Sequence, residues 1–161
     1  MRLAEVWDSL GATYADAPTL LVPVPLHGSR ERERGFNQSA LLARGLSLAL
    51  ARTRSGAGIE ARALLRTKAT PPQTGLSLAA RRDNVRGAFS VAEPDRVSGR
   101  VVVLIDDVMT TGSTLSACAE ALKAAGAERV LALTLARATP QFPDREAMAS
   151  PPRVDDFGLG R

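Results

Sequence analysis

Residues Val101-Val102-Val103-Leu104-Ile105-Asp106-Asp107-Val108-Met109-Thr110-Thr111-Gly112-Ser113-Thr114-Leu115 decide the fold. The run Val101–Ile105 has no polar alternation, and such a strand is buried on both faces, as in a parallel sheet. The spacing predicts a loop over Asp106–Gly112 and then a helix with Leu115, Cys118, Ala119, Leu122 and Ala125 on one stripe. Gly126 stops that helix, and Val130–Leu135 reads as a second apolar strand. Strand, loop, helix and strand make a right-handed βαβ unit of an α/β sheet.

Open α/β sheets take their ligands at the carboxyl ends of the strands, where the Asp106–Ser113 loop must lie. Thr110, Thr111, Gly112, Ser113 and Thr114 supply hydroxyls and closely spaced backbone N–H groups at a helix N-terminus, a setting that favours a phosphate. Asp106 and Asp107 would repel that phosphate. They suit sugar hydroxyls, which donate to carboxylates, or the water shell of a Mg²⁺ ion. One loop thus offers a ribose site beside a 5′-phosphate site. The chain has no Gly-x-x-x-x-Gly-Lys and no Gly-x-Gly-x-x-Gly, so neither a Walker loop nor a dinucleotide fingerprint is present.

The rest of the 161 residues sets bounds on this unit. One cysteine and one histidine exclude a disulfide framework and a Cys- or His-rich metal site. No apolar run approaches the roughly 18 residues of a membrane span. The first 20 residues carry Glu5, Asp8 and Asp16 and lack the apolar core of a signal peptide, so a cytoplasmic location is expected. The net charge of +4 is unevenly spread. His27–Ser90 holds 12 Arg and Lys against 4 Asp and Glu, and the remainder holds 9 against 13. A basic segment beside an acidic remainder suits an anionic ligand held on one face.

Upstream, the pattern predicts a helix over Arg2–Leu10, with Leu3, Val6, Trp7 and Leu10 on one face. A buried strand follows over Thr19–Pro25, then a charged loop over Leu26–Gly35. Asn37 should cap a helix to about Arg52 that turns Leu41, Leu42, Leu46 and Ala49 inward. Ile59–Leu65 is a weak strand, Ser77 caps a short basic helix to about Arg86, and Ala88–Val91 is an edge strand. One globular domain is expected over residues 1–137, with a loosely packed or disordered, proline-bearing tail over 138–161.

Three blocks in order resemble a known family. The Asp106–Thr114 stretch is similar to the phosphoribosyl-pyrophosphate (PRPP) motif of type I phosphoribosyltransferases. Val22-Pro23-Val24-Pro25-Leu26-His27 with Arg34-Gly35-Phe36-Asn37-Gln38 resembles the pyrophosphate-loop region of the ComF competence-protein family. Gln73, Leu76, Ser77, Arg81, Asn84 and Gly87-Ala88-Phe89 resemble that family's hood segment. The resemblance implies the type I phosphoribosyltransferase fold, a mostly parallel sheet flanked by helices with a small hood. It implies Asp106 and Asp107 at the ribose and Thr110–Thr114 at the 5′-phosphate. Leu26, His27 and Arg34 would lie at the pyrophosphate, where the fold often carries a non-proline cis bond, and Gln73, Arg81 and Asn84 in the hood. Asp106, Asp107 and Arg34 are the expected catalytic set. Arg30 and Arg32 alternate with Glu31 and Glu33, so a self-paired charged turn is the alternative for those two.

The chemistry so implied is displacement of pyrophosphate from C1′ of PRPP by a nitrogen nucleophile. Mg²⁺ would be the cofactor, carried by ligand and water with no protein metal site. The family's role in natural transformation makes single-stranded DNA and a DNA-uptake helicase candidate partners beside PRPP or a nucleotide. ComF proteins usually begin with a Cys-x-x-Cys zinc ribbon, and these residues include none. The alternative is a non-catalytic nucleotide-sensing or DNA-uptake module that keeps the PRPP pocket.

Overall fold

The structure, a computed structural model, describes residues 19–51, 57–68 and 84–138. Val101–Ile105 is the centre of β5 (Val101–Met109), and every one of its five residues is buried. To one side lies β1 (Thr19–Pro23), to the other β6 (Arg129–Arg137), both parallel to it. The two-residue β2 (Gly58–Ile59) extends the sheet beyond β1, giving the order β2-β1-β5-β6. All-parallel pairing requires a crossover between neighbours, and these crossovers put helices on both faces.

Strand alternation sorts the core into two halves. Leu20, Val22, Val102 and Leu104 point to one face, where they meet Leu115, Cys118 and Leu122 of α3 (Ser113–Ala124). Leu21, Val101, Val103 and Ile105 point to the other, against Ala43, Leu46 and Leu50 of α2 (Gln38–Leu50). A separate antiparallel pair, β3 (Leu64–Arg66) with β4 (Phe89–Val91), adds Leu64 and Phe89 to the α3-side core. Most of the residues expected in the small hood (69–83) lie outside the described ones.

Several sequence expectations need correction. The charged loop over Leu26–Gly35 contains a helix, α1 (Gly28–Arg34). No α1 residue is buried, so no apolar periodicity announces it. Its ends hold it: His27 caps the start, and Gly35 closes it in a left-handed conformation (φ 78°) that favours glycine. The expected strand over Ile59–Leu65 is two strands in two different sheets. Helix α2 is rotated from the predicted phase: Leu41 is 56% exposed, and Ser39 takes a buried place. With Leu at 41, 42, 46, 48 and 50 the helix is apolar nearly all round, so its sequence does not choose a stripe. Finally, β5 continues to Met109, which places the acidic pair on a strand and leaves only Thr110–Gly112 as the loop.

The expected helix over Arg2–Leu10 and the residues of the tail after Ala138 lie outside the described residues. Among the described residues, no helix is long and apolar enough to cross a membrane.

Candidate functional site

Two chain segments meet at the carboxyl end of the sheet. Pro23 stands beside Ile105 in the β1–β5 ladder, and the Val24 N–H donates to the Ile105 carbonyl at 2.9 Å. The segment leaving β1 toward Leu26 and His27 therefore starts where the acidic pair starts. Asn37 ties that segment down. Its Nδ2 donates to the Val24 carbonyl at 3.0 Å, and its Oδ1 accepts the Ser39 N–H at 3.0 Å as the cap of α2.

Asp106 is half-buried, and its Oδ1 accepts two hydrogen bonds: from Ser39 Oγ at 2.9 Å and from the Asp107 N–H at 3.0 Å. Burial pushes its carboxyl above the ordinary range, the bonds from Ser39 and Asp107 N–H pull it back, and the neighbouring Asp107 charge adds to the rise. Asp107 turns its Oδ1 to the Val108 N–H at 2.7 Å. The two carboxylates thus have different settings, one anchored to α2 and one braced on its own strand.

Beyond them, Asp106, Val108 and the run Met109–Leu115 line an open polar cleft. Gly112 occupies the N-cap of α3 with φ 75°, a left-handed conformation that a side chain would strain. The cap makes no side-chain bond to the helix. Thr111 Oγ1 and Ser113 Oγ lie 2.9 Å apart, and the Ser113 N–H reaches Thr111 Oγ1 at 3.4 Å. Ser113 is buried, while Thr110 is exposed and Thr114 half-buried. The five predicted phosphate residues therefore form one turn, with Thr110 outermost and Ser113 turned inward.

The other predicted residues are less closely joined. Leu26 and His27 are half-buried at the entry to α1. His27 Nδ1 accepts the Ser29 N–H at 3.3 Å and shares a hydrogen bond with Ser29 Oγ at 2.8 Å. The lone imidazole is thus a helix cap. Arg34 is exposed in the last turn of α1, and no hydrogen bond or ion pair joins it to Asp106 or Asp107. Among the described residues, no salt bridge joins the arginines and glutamates of α1 to one another, so that segment is not self-paired. Peptide bonds among the described residues are all trans, including those after β1, where the resemblance had implied a cis bond. Asn84 is half-buried and helical, two residues before the turn that leads to β4, and Gln73 and Arg81 lie outside the described residues.

Two neighbours were not anticipated. Ser39 reads in sequence as an ordinary polar helix residue, two positions past its cap. Arg66, at the end of β3, stacks on Phe89 with its guanidinium carbon 5.5 Å from the ring centroid. Burial lowers its pKa and the charge of Arg30 lowers it further, so the hairpin and α1 bring two cations near each other.

Residues 37–156 match the family described as "Phosphoribosyl transferase domain". The chain is 39% identical over 137 residues to DNA utilization protein YhgH of Escherichia coli O157:H7, covering 85% of this chain and 57% of that protein. It is 39% identical over 122 residues to Competence protein F of Haemophilus influenzae, covering 75% of this chain and 51% of that one. Against Competence protein ComFC of Bacillus subtilis the identity is 32% over 131 residues, covering 81% and 49%. The chain spans about half the length of these relatives.

Proposed function

Because the chain belongs to the phosphoribosyl transferase domain family, we propose that the cleft between Asp106 and Leu115 binds PRPP and that the domain transfers its phosphoribosyl group to a nitrogen nucleophile. The observation that carries this is the adjacency of an acidic pair and a hydroxyl-rich helix N-terminus at one strand end. Asp106 and Asp107 accept hydrogen bonds from the ribose hydroxyls. The Thr110–Thr114 turn takes the 5′-phosphate, whose charge meets the α3 N-terminus. The segment Leu26–Arg34 borders the pyrophosphate, with Arg34 as the cation the family pattern assigns there.

As pyrophosphate leaves C1′, positive charge develops on the sugar and negative charge on the leaving oxygens. Carboxylates beneath the ring favour the first change and arginines of the basic segment the second. Mg²⁺ fits this site as a hydrated ion carried by the ligand. The donors on hand are carboxylate and hydroxyl oxygens, and no three His, Cys, Asp or Glu residues cluster to hold a metal among the described residues. When bound, it supplies further charge neutralisation at the pyrophosphate.

The names of the relatives support a place for this protein in DNA uptake or use. Single-stranded DNA and a DNA-translocating helicase are its proposed partners, and the basic segment supplies the charge that nucleic acid requires.

Thermal unfolding with and without PRPP and Mg²⁺ tests the pocket. At about 100 times Kd, binding stabilises the fold by roughly 2.7 kcal/mol, and Asp106→Asn/Asp107→Asn abolishes the shift. No shift in the wild type overturns the PRPP reading. Release of pyrophosphate on adding nitrogenous bases then marks an enzyme, and binding without release marks a sensor.

A further inference from the structure

We propose that Ser39 is a positioning residue for the ribose-binding carboxylate: it holds Asp106 Oδ1 so that Oδ2 is turned to the sugar hydroxyls. This rests on the PRPP reading of the cleft. Ser39 is 5% exposed and lies on the face of α2 whose other buried residues, Ala43, Leu46 and Leu50, are apolar. Packing alone would be served by alanine there, which is also the better helix former. A buried hydroxyl needs a partner, and the partner of this one is Asp106 Oδ1 at 2.9 Å.

The bond has the geometry of a brace. Oδ1 accepts from both Ser39 Oγ and the Asp107 N–H, and all hydrogen bonds to Asp106 from described residues fall on that oxygen. Two donors on one oxygen fix the carboxylate plane, and Oδ2 is left for a ligand. With the Asp107 N–H alone, the carboxylate can rotate about its terminal bond, a soft sp³–sp² torsion. Ser39 is itself held: its N–H goes to Asn37 Oδ1, and Asn37 Nδ2 goes to the Val24 carbonyl. A line of hydrogen bonds therefore runs from the end of β1 through the start of α2 to the end of β5. It makes the orientation of the acid depend on the segment that borders the pyrophosphate, through a serine that the sequence separates from Asp106 by 67 positions. A catalytic group gains from such support because small angular errors are expensive.

The test compares ribose 5-phosphate with its 2,3-dideoxy analogue, which keeps the phosphate and lacks the hydroxyls, by ligand titration monitored by NMR. Wild type should prefer ribose 5-phosphate. Ser39→Ala should bind ribose 5-phosphate about tenfold more weakly, equivalent to about 1.4 kcal/mol, and bind the dideoxy analogue unchanged. In an Asp106→Asn background, Ser39→Ala should have no further effect. A merely structural role would weaken both ligands alike, and that result overturns the proposal. So does an unchanged ribose 5-phosphate affinity, or a loss that persists without the Asp106 carboxylate. If wild type binds neither ligand, the pocket reading fails first and this inference fails with it; if wild type discriminates and Ser39→Ala discriminates to the same degree, only this inference fails.

Discussion

Arg66 and Phe89 stand directly opposite each other across the β3–β4 pair, with the guanidinium 5.5 Å from the ring centroid. Phe89 is buried in the α3-side core, so this cross-strand contact lays a guanidinium against an apolar side chain of that core. Partly desolvated cation–π pairs contribute about 0.5–2 kcal/mol. A double-mutant cycle of Arg66→Met and Phe89→Leu should show a coupling of about 1 kcal/mol in urea unfolding. Additive effects would mean that the stacking is incidental.

Asn37 performs two tasks with one amide, and its variants should separate them. Asn37→Ala loses both the α2 cap and the bond to the Val24 carbonyl, at a cost of about 2 kcal/mol. Asn37→Ser keeps a capping oxygen and should recover about half of that. Equal losses for the two variants, measured by chemical denaturation, would contradict the division.

The Asp106 carboxyl titrates above its usual range because burial penalises the charged form. A raised folded-state pKa means that the favourable contribution is present below the unfolded-state value and is lost as pH rises through the folded one. At neutral pH the ionised group therefore costs stability, which Asp106→Asn should return while removing PRPP binding. The gain in Tm should be largest at neutral pH and should shrink as pH falls through the carboxyl's range. A Tm difference that does not vary with pH would show that the charge is not its source.

Cys118 is fully buried between α3 and the sheet, and burial strongly disfavours its thiolate. The native chain should therefore resist an aromatic disulfide reagent and react completely once unfolded. Cys118→Ser, which buries a hydroxyl in the apolar cluster, should cost about 2 kcal/mol. Immediate reaction in native buffer would place the thiol at the surface.

The contrast between what was legible and what was not has physical causes. The unit β5–α3–β6 could be read because five apolar residues in a row admit one environment and the α3 stripe repeats at helical spacing. The Thr110–Thr114 turn was legible for the same reason, since a strand end and a helix start fix its place. Helix α1 was hidden because it buries nothing and is defined by its caps, His27 and Gly35. The phase of α2 was hidden because its leucines surround it, and the choice was made by the Asn37 anchor and the Ser39–Asp106 bond, both of which are tertiary. A serine's sequence neighbourhood says nothing about a carboxylate on a distant strand.

The uniform apolarity of Val101–Ile105 has a further consequence. All five side chains suit either half of the core, so sliding β5 by one position would exchange the two sets with little loss of burial. What forbids the slide is polarity at the ends of the run. Arg100 on one side and Asp106 on the other cannot follow it inward without stranding a charge in the interior. The acid that would hold the sugar is thus also a stop that locks the central strand in place. A chain that had given up ligand binding would still need a polar side chain at that position in order to fold in one alignment.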